Sequence, residues 1–532
     1  MYPDLVLKGG KIVTMDRRDT IAGGVAVQFG RIVAVGSDVE IGALAGRKTE
    51  VIELKGKTVI PGLIDSHGHF TREGAMRMLL EDLSEEAGVR SIADLRNRLA
   101  ERAKLTEKGK WVLGYQEDDA KLSEKRHPTR WDLDGATRDH PILISTVGGH
   151  FYIANSLAFD QAGVGRNTPD PVGGKFDRDP ATGELTGGLH EKALLLINPD
   201  WPVEPTRGQS YEGAKQILTE CASLGLTCVY DTVEGSQIRA VIDLKNRGEL
   251  PIRVRMDVKM DLLPELDKLG VQGGLGDDWA RICGLKFFFD GAISARTAAV
   301  TEPYLDKADF YGVMATTREI AAATILGAYA QGHRISAHAN GDRAISIFLD
   351  IMEEAQEKFP RKDPRNRAIH CTVVNQELVK RIKDQGILPT IFGPYVYYHG
   401  DKLIPAFGEK RLEWMFAARS FLDAGLTVAA HSDHPCAPFP PLMAIHGLVN
   451  RTTKAGKPIG QSQRISVTEA LRLYTINAAY QSFDEHKLGS IEAGKLADMV
   501  VLGEDILTVP SDRIIDIPVE MTLVEGRVVQ GK

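Results

Sequence analysis

Two histidines separated by one residue, His67 and His69, end the segment Val59-Ile60-Pro61-Gly62-Leu63-Ile64-Asp65-Ser66-His67-Gly68-His69. In an extended chain residues i and i+2 project from the same face, so both imidazoles can reach one metal ion while Gly68 leaves room around them. A bare His-x-His is more often a solvated or core pair, and here position decides. An apolar strand that stops in ligand-type residues is how a parallel barrel or doubly wound sheet presents a site at its carboxyl edge.

The pattern recurs along the chain. His338 ends Ile335-Ser336-Ala337-His338, His370 ends Ala368-Ile369-His370, and Asp433 follows Val428-Ala429-Ala430-His431-Ser432. Lys286 lies inside Cys283-Gly284-Leu285-Lys286-Phe287-Phe288-Phe289, where an isolated ammonium would be costly to bury. Each has an ordinary alternative: Lys286 could snorkel to a rim, His338 and His370 could be satisfied core histidines, and Asp433 could cap the next helix. Recurrence at five strand ends favours a shared metal site over these separate explanations.

Around this set stand candidates for holding a substrate. His150 and Tyr152 could donate to a carbonyl or its oxyanion, or merely hold their own loop. Arg296 could meet a carboxylate or pair with Asp290. Phe288, Tyr395 and Tyr398 could line an apolar pocket, and His431, beside Asp433, is expected to support the ligands rather than join them.

The elements that must position these residues follow from the rhythm of the chain. A length of 532 residues predicts a large catalytic domain with smaller units. With 43% hydrophobic and 26% charged residues the chain can bury a sizeable core, which sets disorder aside. A net charge of -7 without a dense basic tract excludes an electrostatic footprint for nucleic acid or an anionic membrane, leaving a small-molecule partner. No stretch is long and apolar enough to span a bilayer, and the amino terminus lacks a signal-type apolar segment, so a cytoplasmic location is expected. Five cysteines without Cys-x-x-Cys spacing read as reduced packing residues.

Short β-type runs occupy both ends and predict one small β-sandwich domain from residues 1–58 and 485–532. Between them, seven further strands alternate with amphipathic helices; with the strand before His67 they make eight. The fold class expected is α/β, a (β/α)8 TIM barrel over 59–72 and 207–484, with a doubly wound sheet as the alternative. The interval 73–206 is too long for one loop and predicts an inserted α/β subdomain after the first barrel strand, one that could roof the site.

At this level the sequence resembles the amidohydrolase superfamily of metal-dependent hydrolases, in the amidohydrolase 3 branch that includes N-substituted formamide deformylases. The resemblance covers nearly the whole chain. It rests on Pro61 to His69, on Leu488-Gly489-Ser490-Ile491-Glu492-Ala493-Gly494-Lys495-Leu496-Ala497-Asp498, on Gly149 to Ser156, on Lys286 to Thr297, and on His338-Ala339-Asn340-Gly341-Asp342-Arg343-Ala344. It implies one or two zinc ions per chain. His67, His69 and Asp433 would hold the first, and Lys286, carboxylated on its amine, would bridge to a second held by His338 and His370. A carbamate is an anionic oxygen ligand, which removes the oddity of a buried ammonium. Asp433 would also act as general acid/base.

The activity implied is hydrolysis of a carbon–nitrogen bond in a linear amide, an N-substituted formamide or N-acyl compound. A cyclic amide hydrolase or a deaminase is the alternative, although the segment after His338 lacks the Glu that purine and pyrimidine deaminases place there. A noncatalytic scaffold is disfavoured by the complete ligand set. Two departures bear on substrate: Ile369 precedes His370 where relatives often carry Glu, and His431 stands where they often carry Gly. A homodimer is expected for a barrel enzyme of this size.

Overall fold

The computed structural model describes residues 2–147, 151–171, 174–199 and 204–531. The chain divides into two compact units, residues 1–73 with 214–532, and residues 74–213.

The first unit contains an eight-stranded, all-parallel sheet whose strands pair in chain order. These are β1 (Leu63–Gly68), β2 (Leu226–Val233), β3 (Arg253–Lys259), β4 (Ala280–Phe288), β5 (Ile335–Ala339), β6 (Arg367–His370), β7 (Leu388–Phe392) and β8 (Ala429–His431). All eight residues of β2 and all six of β1 are buried, as expected for parallel strands covered on both faces. The sheet curls until its ends meet. Asp433 N–H donates to His67 O at 3.1 Å and His69 N–H donates to His434 O at 2.8 Å, so the seam is stitched at the carboxyl end of the strands. The TIM-barrel expectation is met.

Both chain ends build the remaining sheets of this unit. One has four strands from residues 5–53; the other joins Lys11–Val13, Ile21–Ala22 and Thr58–Pro61 to Met499–Leu502, Val519–Val524 and Arg527–Gly531. Leu5, Val25 and Val59 share a core with Met499, Val501 and Leu523, burial that draws the distant ends together.

One expected boundary moves. The apolar run before His67 is two strands: Thr58–Pro61 pairs with Met499–Leu502, and only Leu63–Gly68 enters the barrel. The break falls at Gly62, where a Cβ would lie 2.1 Å from Thr227 Oγ1. A run apolar throughout carries no periodicity to mark such a change of sheet.

The second unit has a mixed six-stranded sheet in the order Gly174–Arg178, Leu185–Glu191, Phe151–Ala154, Ile142–Thr146, Val112–Glu117 and Leu80–Asp82. Helix Ile92–Leu105 contributes Leu95 and Leu99 to a core with Val112 and Ile142. Among the described residues, no helix is long and apolar enough to cross a membrane.

The terminal sheets are locked to the barrel by a buried ion pair. Arg253, at the start of β3, donates Nε–H and Nη2–H to the two oxygens of Asp498 at 2.7 and 2.9 Å, with both side chains at most 3% exposed. Asp498→Ala would strand that guanidinium in the interior and is expected to cost about 3–5 kcal/mol. The check is the denaturant midpoint, which should fall for the single variant and recover in Arg253→Met/Asp498→Leu.

Candidate metal centre

The carboxyl ends of five barrel strands deliver the expected residues to one place. His67 lies within β1, with His69 one residue beyond that strand; Lys286 is in β4, His338 in β5, His370 ends β6, and Asp433 lies two residues past β8. His67 Nε2 is 3.1 Å from Asp433 Oδ1 and His69 Nε2 is 3.5 Å from the same oxygen. Lys286 Nζ lies 3.1 Å from His67 Nε2, and His370 Nε2 lies 2.9 Å from His338 Nδ1. Ligand atoms of His67, His370 and Asp433 all fall within 4.8 Å of one another.

Burial sets the charge state of these groups. With Lys286 close by, it holds His67 well below the usual imidazole range and draws His338 down to about 3. His370 is lowered by burial and then by His338. The same burial pulls Lys286 down to about 7 against the opposing pull of Asp433 and Asp257. The imidazoles of His67, His338 and His370 are therefore neutral lone-pair donors, and the lysine amine is available unprotonated near neutral pH.

These residues fit a metal. Asp433 Oδ1 is buried beside two imidazole nitrogens, yet among the described residues it accepts no hydrogen bond, and His370 Nδ1 is likewise without a partner. A buried carboxylate oxygen beside several imidazole nitrogens is what a cation would satisfy, and nitrogen and oxygen ligands of this kind suit zinc. Backbone strain marks the same points: His370 and Asp433 adopt φ of 73° and 56°, left-handed values uncommon for residues other than glycine.

Residues not singled out from sequence hold the donors in place. Asp65, two positions before His67, accepts the backbone N–H groups of His67 at 3.2 Å and Ser432 at 3.1 Å, tying β1 to the residue before Asp433. Asp290, just beyond β4, accepts from the backbone of Ala299, Asn340 and Gly341 at 2.9, 3.0 and 2.8 Å. Burial pushes both carboxyls up to about 7. His338 Nε2 lies 3.2 Å from Gly291 O and 3.1 Å from the Asn340 amide nitrogen, while its Nδ1 faces His370 Nε2 at 2.9 Å. The sequence signal for both aspartates was a carboxylate within or ending an apolar strand beside ligand residues.

The candidates for substrate contact separate. Phe288 is half-buried, its ring 5.5 Å from that of His338 and 5.0 Å from Lys286 Nζ. Tyr398 is half-buried on helix Tyr395–Leu412, its ring 4.7 Å from that of His399. Tyr152 is half-buried on a strand of the second unit, opposite Ser145 and Leu189, and His150 lies outside the described residues.

Two expectations change. Arg296 pairs with Asp306 at 2.6 Å rather than with Asp290, whose oxygens are taken by backbone donors. Tyr395 is 1% exposed and its hydroxyl accepts from Ser294 N–H at 3.1 Å, which makes it a support for the loop after β4 rather than a pocket wall. His431 is fully buried, with ring centroids 5.3 Å from His67, 5.0 Å from His370 and 4.6 Å from Phe392, so it packs among the ligands.

A parallel barrel that gathers neutral imidazoles, a carboxylate and a buried lysine at its carboxyl edge defines a metal-dependent hydrolase. The chain belongs to the amidohydrolase family, whose model matches residues 50–530. It is 30% identical to amidohydrolase YtcJ of Bacillus subtilis (strain 168), over 98% of this chain and 99% of that one. It is 28% identical to the N-substituted formamide deformylase of Arthrobacter pascens, over 98% and 97%. Among solved structures, an uncharacterized metal-dependent hydrolase from Pyrococcus horikoshii OT3 superposes with a TM-score of 0.78 at 25% identity, covering 95% of this chain and 99% of that one.

Asp290→Ala would leave three backbone donors without an acceptor and release the loop that carries Gly291. We expect a stability loss of about 3 kcal/mol and a metal affinity about 10–100-fold weaker, measured by unfolding and by competition with a chelator.

Proposed function

We propose that the protein hydrolyses the carbon–nitrogen bond of a linear amide, an N-substituted formamide or N-acyl compound, with Asp433 as general acid/base. The observation that carries this is the unpartnered Asp433 Oδ1, buried between His67 and His69 at 3.1 and 3.5 Å. The near full-length likeness to a formamide deformylase supports the choice of a linear amide.

His67, His69 and Asp433 would hold one divalent ion, zinc by donor type, and His338 and His370 a second, bridged through Lys286 if its amine is carboxylated. Such an ion, when bound, brings a water's pKa toward 7 and polarises a carbonyl. Asp433 would take one proton from the attacking water. As the new C–O bond forms and the C–N bond breaks, Asp433 would return that proton to the departing nitrogen, giving a carboxylic acid and an amine, which exchange the remaining proton to leave as carboxylate and ammonium. The depressed basicity of His67 and His370 keeps them from competing for that proton. Lys286 supports the bridge because burial leaves its amine near pKa 7, unprotonated often enough to take up carbon dioxide. Phe288, beside Lys286 and His338, supplies an apolar wall.

The test is a screen of the zinc-loaded protein with formamides, N-acyl amines, N-acyl amino acids and cyclic imides. Turnover confined to the linear members is expected; preference for the cyclic imides would overturn the proposal. Asp433→Asn should retain metal by elemental analysis while turnover falls roughly 10²–10⁴-fold, and near-normal activity would remove Asp433 from its role.

A further inference from the structure

The end of the barrel opposite the metal residues holds a second polar site. Arg334 directly precedes β5, whose other end carries His338, and its guanidinium lies inside the lower barrel, 5% exposed as a residue. Its Nε–H donates to Arg365 O at 2.6 Å. Nη1 and Nη2 are buried and, among the described residues, without any hydrogen-bond partner.

Neighbouring charge adds to the cost. The buried carboxylates at this level each bind guanidinium groups through one oxygen, Asp257 to Arg367 and Asp484 to Arg255 at 2.7 Å and Arg281 at 2.9 Å, while the other oxygen of each has no hydrogen-bond partner among the described residues. Two carboxylates thus face four guanidinium groups. Burial and then the like charge of Arg367 draw Arg334 down to about 10, still charged at neutral pH. A buried cation with two unmet donors is costly unless an acceptor reaches it.

Beside it is a cavity of about 400 Å³ lined by Arg281, Arg334, Arg361, Ser482 and Phe483 and by one carboxylate, Asp363, which accepts from Arg365 at 2.9 Å. Phe483 lies over the guanidinium, with Arg334 Cζ 5.7 Å from the centre of its ring, and Arg365 Cζ stacks on the same ring at 4.1 Å. The residue is 45% exposed, so its side chain can turn toward solvent at the cost of the Arg365 contact.

We propose that this cavity binds a small oxyanion, phosphate or a carboxylate, whose oxygens meet Arg334 Nη1 and Nη2 once Phe483 turns aside, with Arg281 and Arg361 lining the walls. Two parallel N–H donors match two oxygens of either group, and the surplus of positive charge selects an anion over water. The site uses none of the residues assigned to hydrolysis.

The experiment is thermal unfolding of the full-length, metal-loaded protein in sodium phosphate, sodium acetate or sodium chloride at matched ionic strength. A saturable rise in midpoint is expected with phosphate or acetate and not with chloride, and the stronger of the two arms identifies the anion. Arg334→Met should raise the half-saturating concentration about tenfold or more. An unchanged curve in Arg334→Met, as binding at the metal centre would give, overturns the proposal, as does an equal response to chloride. Crystals of the unaltered protein soaked in selenate answer independently of how Arg334→Met folds. An anomalous selenium peak whose oxygens lie within hydrogen-bond distance of Arg334 Nη1 and Nη2 supports the site, and ordered water alone overturns it.

Discussion

Closure of the barrel at its carboxyl end is the constraint on which the rest depends. Asp65 accepts from Ser432, a residue 367 positions away, and from His67 on its own strand. Two further backbone bonds, Asp433 N–H to His67 O and His69 N–H to His434 O, complete the seam. These contacts alternate with the ligand residues, so closing the sheet and assembling the His67, His69 and Asp433 edge of the site are one event. A shift of one residue in either strand would turn its donor side chain away from the centre, because side chains alternate between faces.

A site of buried, neutral imidazoles would be unstable if neighbouring charges were left loose. The lower barrel answers this with Arg367, which donates to Ser66 O at 2.9 Å and to the carboxylate of Asp257, placing a fixed cation beneath β1 and β6. That pair bears on Lys286 in opposite senses: Asp257 favours its ammonium and Arg367 opposes it, while burial exceeds both. The lysine is therefore held near neutrality by the fold itself, before any metal or carbon dioxide is considered.

Much of this was legible in the sequence, for a physical reason. Parallel strands buried on both faces are apolar runs, so a polar residue that ends one, such as His338 or His370, stands out against its background. The break at Gly62 was hidden for the converse reason: both strands it joins are apolar. Asp290 lay inside a recognised motif, but its three backbone partners come from residues 299–341, and no spacing rule anticipates a carboxylate that organises two loops at once. Tyr395 and Arg296 were assigned by residue type alone, and type does not tell a pocket wall from a loop brace.

His431 bears on the candidate site through packing. Its imidazole stands in van der Waals range of His67, His370 and Phe392. Neither ring nitrogen has a hydrogen-bond partner among the described residues, and burial keeps the ring well below its usual basicity. Volume added beneath two ligand rings in a close-packed interior must be met by the neighbouring side chains, because cores transmit such changes rather than absorb them. The orientations of His67 and His370 thus depend in part on the volume of His431.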